Sequence, residues 1–305
     1  MFASIIITSY NYGRFLRQAI ESCLNQTYAD TEIIVVDDSS TDGSRHIIES
    51  YGRSLISVFK ENGGHSSAIN AGFSVSHGDI ICPLDSDDVF TTDKVARVVE
   101  AWKPLPHVNL LYHQLQTIDA NGVQRGNPWP RSTLSGDIHQ KIAQTAGWWP
   151  RPTTSGLCFS RSYLERVLPM PTGPRIWPDT YLAPPAAFMA PVIGLPIRLG
   201  YYRTHGENTI DKFFPKRTVP SERREVARQR VAQYVNENVL LVDCIHGLLD
   251  APPDVALGGH PEFQSVRRAA GEPVSLWELA SVFAQCPAMP APMKLRSVVL
   301  ALLAR

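Results

Sequence analysis

No stretch of this chain approaches the roughly 20 consecutive apolar residues of a membrane-spanning helix. The opening "MFASIIIT" has no basic flank and only a three-isoleucine run. It reads as a strand rather than a secretory leader, so the expectation is a soluble cytoplasmic protein, attached at most to the inner face of a membrane. The five cysteines (Cys23, Cys82, Cys158, Cys244, Cys286) are scattered, odd in number and never in a C-x-x-C. That argues against a disulfide frame and a zinc site, and for reduced, mostly buried thiols. Charge of one sign is also lacking: Lys and Arg together number 29, as do Asp and Glu, and the pI is near 7.1. Local patches apart, the chain lacks the basic excess of a nucleic-acid binder. Neither G-x-G-x-x-G nor G-x-x-x-x-G-K-[ST] occurs, which removes the dinucleotide fingerprint and the P-loop. There is no internal repeat and no low-complexity segment.

What is present is a core. With 44% apolar residues in 305, the chain can build one large domain, or one domain and an appendage. "ASIIIT", "EIIVVDD", "LISVFKE" and "DIICPL" read as strands, most of them buried on both faces. Between and after them, "RFLRQAIESCLNQ", "SSTDGSRHIIESY", "GGHSSAINAGFSVS" and "TTDKVARVVEAW" carry helical spacing or helix-start signals. Strands alternating with helices predict an α/β fold with a doubly wound, mostly parallel sheet. The second half is less regular. Two extended segments flank the "ANG" turn in "VNLLYHQLQTIDANGVQRG", and "WPDTYLAPPAAFMA" predicts a helix that its Pro-Pro pair makes short, kinked or late to begin. From Ser221 onward the chain reads as a helical appendage.

Three polar clusters fall at the carboxyl ends of predicted strands: Thr8 to Asn11, Asp37 to Ser40, and Asp85 to Asp88. Ligands of open α/β sheets bind at such ends, so all three are expected to face one crevice. "LDSDD" is the most informative. Adjacent carboxylates that must stay ionised favour a hard divalent cation with oxygen ligands, Mg²⁺ or Mn²⁺, which leaves positions open for phosphates. A nucleotide held without a phosphate loop needs its charge neutralised by such an ion.

As an ordered set, "SIIITSYNYGRFLRQAIESCLNQTY", "EIIVVDDSSTDGS" and "NGGHSSAINAGFSVSHGDIICPLDSDDVFTTDKV" resemble the family 2 glycosyltransferases of GT-A fold over residues 3–103, with weaker echoes to about 210. The resemblance implies a GT-A domain over 1–215, with a nucleotide-binding half at 1–103 and an acceptor half at 104–215. A helical accessory region over 216–305 carries no resemblance. By the same resemblance Thr8, Tyr10 and Asp38 hold the base and ribose, with Asp85 beside them. Asp85 and Asp87 form the D-x-D pair, Asp87 meets the metal directly, and Asp88 supports either role. Asp179 stands where the family carries its general base, although Pro178 replaces the acid that often precedes it. His205, in a segment with Tyr202 and Arg203, stands where a histidine often lies near the diphosphate or metal. Thr8 replaces the family's usual proline.

The expected function is therefore inverting transfer of a sugar from a nucleoside-diphosphate sugar, UDP- or dTDP-linked, to a hydroxyl acceptor in polysaccharide or glycoconjugate synthesis. The cofactor is Mn²⁺ or Mg²⁺, and the acceptor class is open between saccharide, lipid-linked and protein. Rival readings weigh in beside it. A non-catalytic nucleotide-sugar-binding scaffold agrees with the missing acid at 178. A sugar-phosphate nucleotidyltransferase would need a glycine- and arginine-rich loop where "TSYNYGRF" stands. Asp38 alone could be an acid at a helix N-terminus, and Asp179 alone a helix cap. Trp148 and Trp149 read as buried aromatics more readily than as a sugar platform. The basic run from Lys216 to Arg230 reads as a solvated helix face, with contact to an anionic membrane surface as the sharper alternative. Homo-oligomerisation is left open.

Overall fold

The computed structural model describes residues 1–145, 147–172, 177–206, 208, 229, 235, 239 and 241–250. The chain divides into two compact units: Met1–Asp137 with Arg151–Thr204, and Ile138–Pro150 with His205–Arg305. The first unit holds the sheet. Along the chain it runs β1 (Ala3–Ser9), α1 (Gly13–Leu24), β2 (Thr31–Asp37), α2 (Ser44–Glu49), β3 (Ile56–Phe59), α3 (His65–Ser74), β4 (Ile80–Asp85), β5 (Val89–Phe90), α4 (Lys94–Trp102) and β6 (Leu110–Asp119). The second unit contributes α5 (His139–Ala143). The first unit resumes with β7 (Leu157–Ser160), α6 (Arg161–Val167), α7 (Pro178–Met189) and β8 (Val192–Thr204).

The eight strands form one sheet in the order β3-β2-β1-β4-β7-β6-β8-β5. β3, β2, β1 and β4 are parallel neighbours. β7 runs against both β4 and β6, β8 runs with β6, and β5 runs against β8. The α/β expectation of a mostly parallel sheet flanked by helices therefore holds. The reason is visible in β1: Ile5, Ile6 and Ile7 are all fully buried, so both faces of the strand are covered and alternation gives way to a continuous apolar run. α1 sends Phe15, Leu16, Ala19, Ile20 and Cys23 inward, the stripe its spacing predicted. α3 lies so close to β1 that a Cβ on Gly72 would come 2.4 Å from Ile6 Cγ2, so the glycine sets the helix–sheet distance.

Three structural details position the site. Thr8 stands opposite both Val36 and Asp85, and Ser9 opposite Asp37, so the three polar strand ends lie side by side. After Asp88 the chain forms β5, where Val89 pairs with Tyr201 and Phe90 with Gly200; this lays the end of β8 behind the acidic turn. α7 begins at Pro178 and carries Pro184 and Pro185 inside its 12 residues. It does not begin late, because Pro178 takes the first helical position, where no amide is needed. Both internal prolines are buried, and tertiary burial offsets the intrahelical bonds they forgo.

In the second unit, the described residues 241–248 are helical, as are 229, 235 and 239. The remainder of the expected accessory region, including the cationic side chains of the 216–230 run, lies outside the described residues. Among the described residues no helix is long and apolar enough to cross a membrane.

Candidate active site

The glycine loop before α3 is fixed from one side by Asp38. Its Oδ1 accepts from Lys60 Nζ at 2.6 Å and from the Gly63 amide at 3.0 Å, and its Oδ2 accepts from the Gly64 amide at 2.8 Å. Asn62 adds a bond to the Asp38 carbonyl at 3.0 Å. Gly64 has φ of +84°, in the region glycine enters without strain. Asp38 is thus bonded to the loop and does not act as the N-terminal acid of α2. That place belongs to Asp42, which accepts from the Ser44 amide at 2.9 Å. Thr8 is buried at the end of β1, while Tyr10 is 48% exposed, so its ring does not cap the core and is free to meet a ligand.

The D-x-D turn is built from behind. Arg203, nearly fully buried, donates its backbone amide to Asp88 Oδ1 and its Nε to the Asp87 carbonyl, both at 2.8 Å. Its remaining nitrogens reach Gln18 Oε1 at 2.6 Å and the carbonyls of Asp119 and Ala120 at 3.4 and 3.3 Å. The guanidinium also lies over the Phe15 ring, 4.7 Å from its centroid, a cation–π contact. Arg203 therefore shapes the acidic turn and touches it mainly through backbone groups. The Asp85 amide is held by Ser155 Oγ at 3.1 Å.

The acids remain under strain of charge. Burial pushes Asp88 well above the ordinary carboxylate range, and repulsion from Asp87 and Asp85 adds to it, against the Arg203 amide and the Ser155 hydroxyl. Five buried side-chain oxygens at these strand ends have no well-formed hydrogen bond: Ser9 Oγ, Asp37 Oδ1, Asp85 Oδ1, Ser86 Oγ and Asp88 Oδ2. Buried acceptors are ordinarily paired, so this edge is built for something that supplies positive charge or donors. Hard oxygen atoms on crowded carboxylates suit Mg²⁺ or Mn²⁺. Among the described residues no three His, Cys, Asp or Glu side chains form a closed cation cage. Mg²⁺ is commonly held by one or two carboxylates together with a substrate's phosphates and water.

Asp179 joins the same edge from the first turn of α7, where Trp177 rather than Asp179 is the cap. Burial raises its pKa above the usual value; Arg151 pulls it back, Asp85 adds to the rise and His65 opposes it. The fold thus brings Asp179 within electrostatic range of the D-x-D, from a distant part of the sequence. His65, the first residue of α3, places Nε2 3.0 Å from Asp85 Oδ1. The pair is close but not aligned as a full hydrogen bond. Burial opposes charging His65, yet Asp85, with Asp179 and Asp87 behind it, outweighs burial and holds the imidazole above its ordinary pKa. His205 belongs to the second unit, where its amide donates to Asn208 Oδ1 at 3.0 Å. Trp149 is buried, as expected.

The family model for glycosyl transferase family 2 matches residues 4–168. The chain belongs to glycosyltransferase family 2. An uncharacterized glycosyltransferase from Nostoc sp. is 36% identical over 242 residues, which cover 77% of this chain and 74% of that one. Another, from Rickettsia prowazekii, is 38% identical over 110 residues, 36% of this chain and 35% of the relative. Among solved structures, S. aureus TarS 1-349 in complex with UDP-GlcNAc has a TM-score of 0.57 at 17% identity, covering all of this chain and 89% of that one. The mannosyltransferase PcManGT from Pyrobaculum calidifontis, in complex with GDP-Man and Mn²⁺, has a TM-score of 0.51 at 18% identity, covering 99% of this chain and 85% of that one. At such identities the likeness is one of fold, and the fold is GT-A.

Within this family member, the sequence pattern located the acids and left their partners unassigned. His65, Arg151, Lys60 and Ser155 drew no functional role from the sequence. Each is a polar residue with no local mark of function: His65, Lys60 and Ser155 are distinguished only by contact with a strand-end acid, and Arg151 only by its pull on Asp179.

Proposed function

We propose that this protein is an inverting, metal-dependent glycosyltransferase that moves a sugar from a nucleoside-diphosphate sugar to a hydroxyl acceptor. The observation that carries the reading is that Asp179, in the first turn of α7, lies in the electrostatic field of Asp85 at the end of β4 and of His65 beside it. Asp87 and Asp85 would hold the cation, with Asp88 in support and His205 as a further ligand. When bound, the ion supplies Lewis-acid neutralisation of charge growing on the leaving diphosphate.

The remaining chemistry belongs to side chains. Thr8, Tyr10 and Asp38 orient the nucleoside, Tyr10 through its exposed ring. The acceptor oxygen attacks the anomeric carbon as the bond to the diphosphate oxygen breaks on the opposite face, with oxocarbenium character at the carbon. Asp179 takes the acceptor's hydroxyl proton onto its carboxylate. Burial raises its pKa, and a higher pKa makes a carboxylate a stronger base. Arg203 keeps the acidic turn in place throughout. The donor favoured here is a uridine or thymidine diphosphate sugar; the TarS complex with UDP-GlcNAc supports that choice, and the PcManGT complex supports a divalent ion. Residues 216–305 are assigned to an accessory region that shapes acceptor access.

A thermal-shift screen of nucleoside diphosphates with and without Mn²⁺ tests the reading, since stabilisation follows affinity. The preferred nucleotide should stabilise the protein only with the ion present. Calorimetry on Asp87→Asn should then show metal-dependent affinity lost; unchanged affinity would sink the metal assignment. Release of nucleoside diphosphate on adding an acceptor separates an enzyme from a binding scaffold.

A further inference from the structure

We infer that His65 is a positioning residue for donor binding, tying the glycine loop before α3 to Asp85. The inference rests on the donor site proposed above. The loop is fixed on one side by Asp38, whose carboxylate accepts from the Gly63 and Gly64 amides at 3.0 and 2.8 Å and from Lys60 at 2.6 Å. His65 follows directly as the first residue of α3. Its imidazole turns back toward the sheet and meets Asp85 Oδ1 at 3.0 Å, with both side chains only about a quarter exposed (28% and 25%). Asp85 is held in turn through its amide by Ser155. A continuous line of contacts therefore runs from Asp38 through the loop and His65 to Asp85 and Ser155.

That line joins the acid at the end of β2 to the acid at the end of β4. A nucleotide that uses both needs their spacing set before it arrives, because ordering them on binding would cost affinity. The contact needs one N–H at the Nε2 position. Asp85 then has its second oxygen and its remaining lone pairs for the ligand side. Partner residues of this kind orient binding groups in metal and phosphate sites, and their loss typically weakens binding about 10- to 100-fold. His65 also feels Asp179. If it served the base instead, turnover rather than binding would depend on it.

The experiment compares wild type, His65→Ala and His65→Gln by calorimetry with Mn²⁺ and the nucleoside diphosphate selected by the thermal-shift screen, followed by steady-state kinetics. Gln carries an amide N–H at a reach close to Nε2 and has no charge. The Ala variant should bind about 10-fold or more weaker, with KM for the donor rising in step and kcat little changed. The Gln variant should restore affinity to within about threefold of wild type, which a merely structural loss would not allow. Wild-type affinity in the Ala variant overturns the inference. So does a fall in kcat at constant KM, which would assign His65 to Asp179, and so does a Gln variant as weak as Ala. A wild-type protein that binds no nucleoside diphosphate would instead overturn the proposed function, and this inference with it.

Discussion

Midway along β4, at Cys82, one buried cation lies among thiols and a neutral imidazole; at Asp85, where the same strand ends, acids crowd one another. Cys82 Sγ lies 3.5 Å from Cys158 Sγ across to β7. Lys94 is fully buried, with its ammonium 3.7 Å from the Phe90 ring centroid and in the field of both thiols. The bond from Cys158, and then Lys94, bring the Cys82 thiol down to about 6 against burial. His113, buried nearby, is pushed down to about 3 by burial and then by Lys94. Lys94 Nζ and His113 Nε2 lack a hydrogen-bond partner too, so this set differs from the strand end in the sign and crowding of its charge. At the strand end, His65 and Arg203 answer part of the charge. Asp88 still sits well above its ordinary range and oxygens remain orphaned. A single cation among neutral groups belongs to the fold; three acids crowded at a strand end are left for a ligand to neutralise.

The largest expected effect tests the member that looks interior although it stands at the strand end. Arg203→Met should cost about 3–5 kcal/mol in chemical denaturation, the range for stripping one partner from a buried charged network. A loss under about 1 kcal/mol would move Arg203 from the fold to the ligand side. Next comes Asp179→Asn, which keeps shape and removes basicity. Transfer should fall about 10²-fold, close to 2.7 kcal/mol of barrier, while calorimetric donor binding survives. Near-normal turnover would place the base elsewhere, and lost donor binding would make Asp179 part of the donor site.

A smaller effect follows from His113. Its folded pKa is depressed to about 3 from 6.5, so below pH 6.5 the unfolded chain binds a proton that the folded one refuses. Stability contributed by the neutral imidazole is complete above pH 6.5 and is lost as pH falls toward about 3. Between pH 6 and 5 the wild type should lose roughly 1 kcal/mol more than His113→Gln, read from denaturation midpoints; equal slopes would show that His113 is not held neutral. The smallest effect is expected from Lys94→Met. Unlike Arg203, Lys94 has no hydrogen-bond partner for its ammonium, and a buried charge without one is costly, so an apolar chain there is expected to be neutral or stabilising. The midpoint should hold or rise, and nucleotide affinity should not move. Lost affinity would mean that the Lys94 cluster reaches the strand-end acids along β4.

Legibility divides the molecule in the same way. β1, β2 and β4 were readable because burial on both faces writes itself as an apolar run, and the polar residues that end each run stand where the ligand edge lies. The D-x-D acids were readable for the same local reason. Lys94 was not, since "TTDKVARVVEAW" shows a helix with a lysine near its start, and nothing local says that this lysine is fully covered. β5 was not read either: two residues are too few for a period, and its strand character comes from pairing with β8. The prolines of α7 pointed to a late or broken start, yet the helix begins at Pro178.

The sequence by itself determined the alternation of strands and helices, the common edge of the three polar strand ends and the identity of the acids there. Each of these depends on spacing within a few residues of the chain. Only the tertiary structure decided which side chains meet those acids: His65 at Asp85, Arg203 behind Asp87 and Asp88, Asp179 over the same edge, and Asp38 on the glycine loop. Such meetings depend on sheet order, register and helix placement, and these are settled by long-range packing that leaves no periodic trace near the residues it joins.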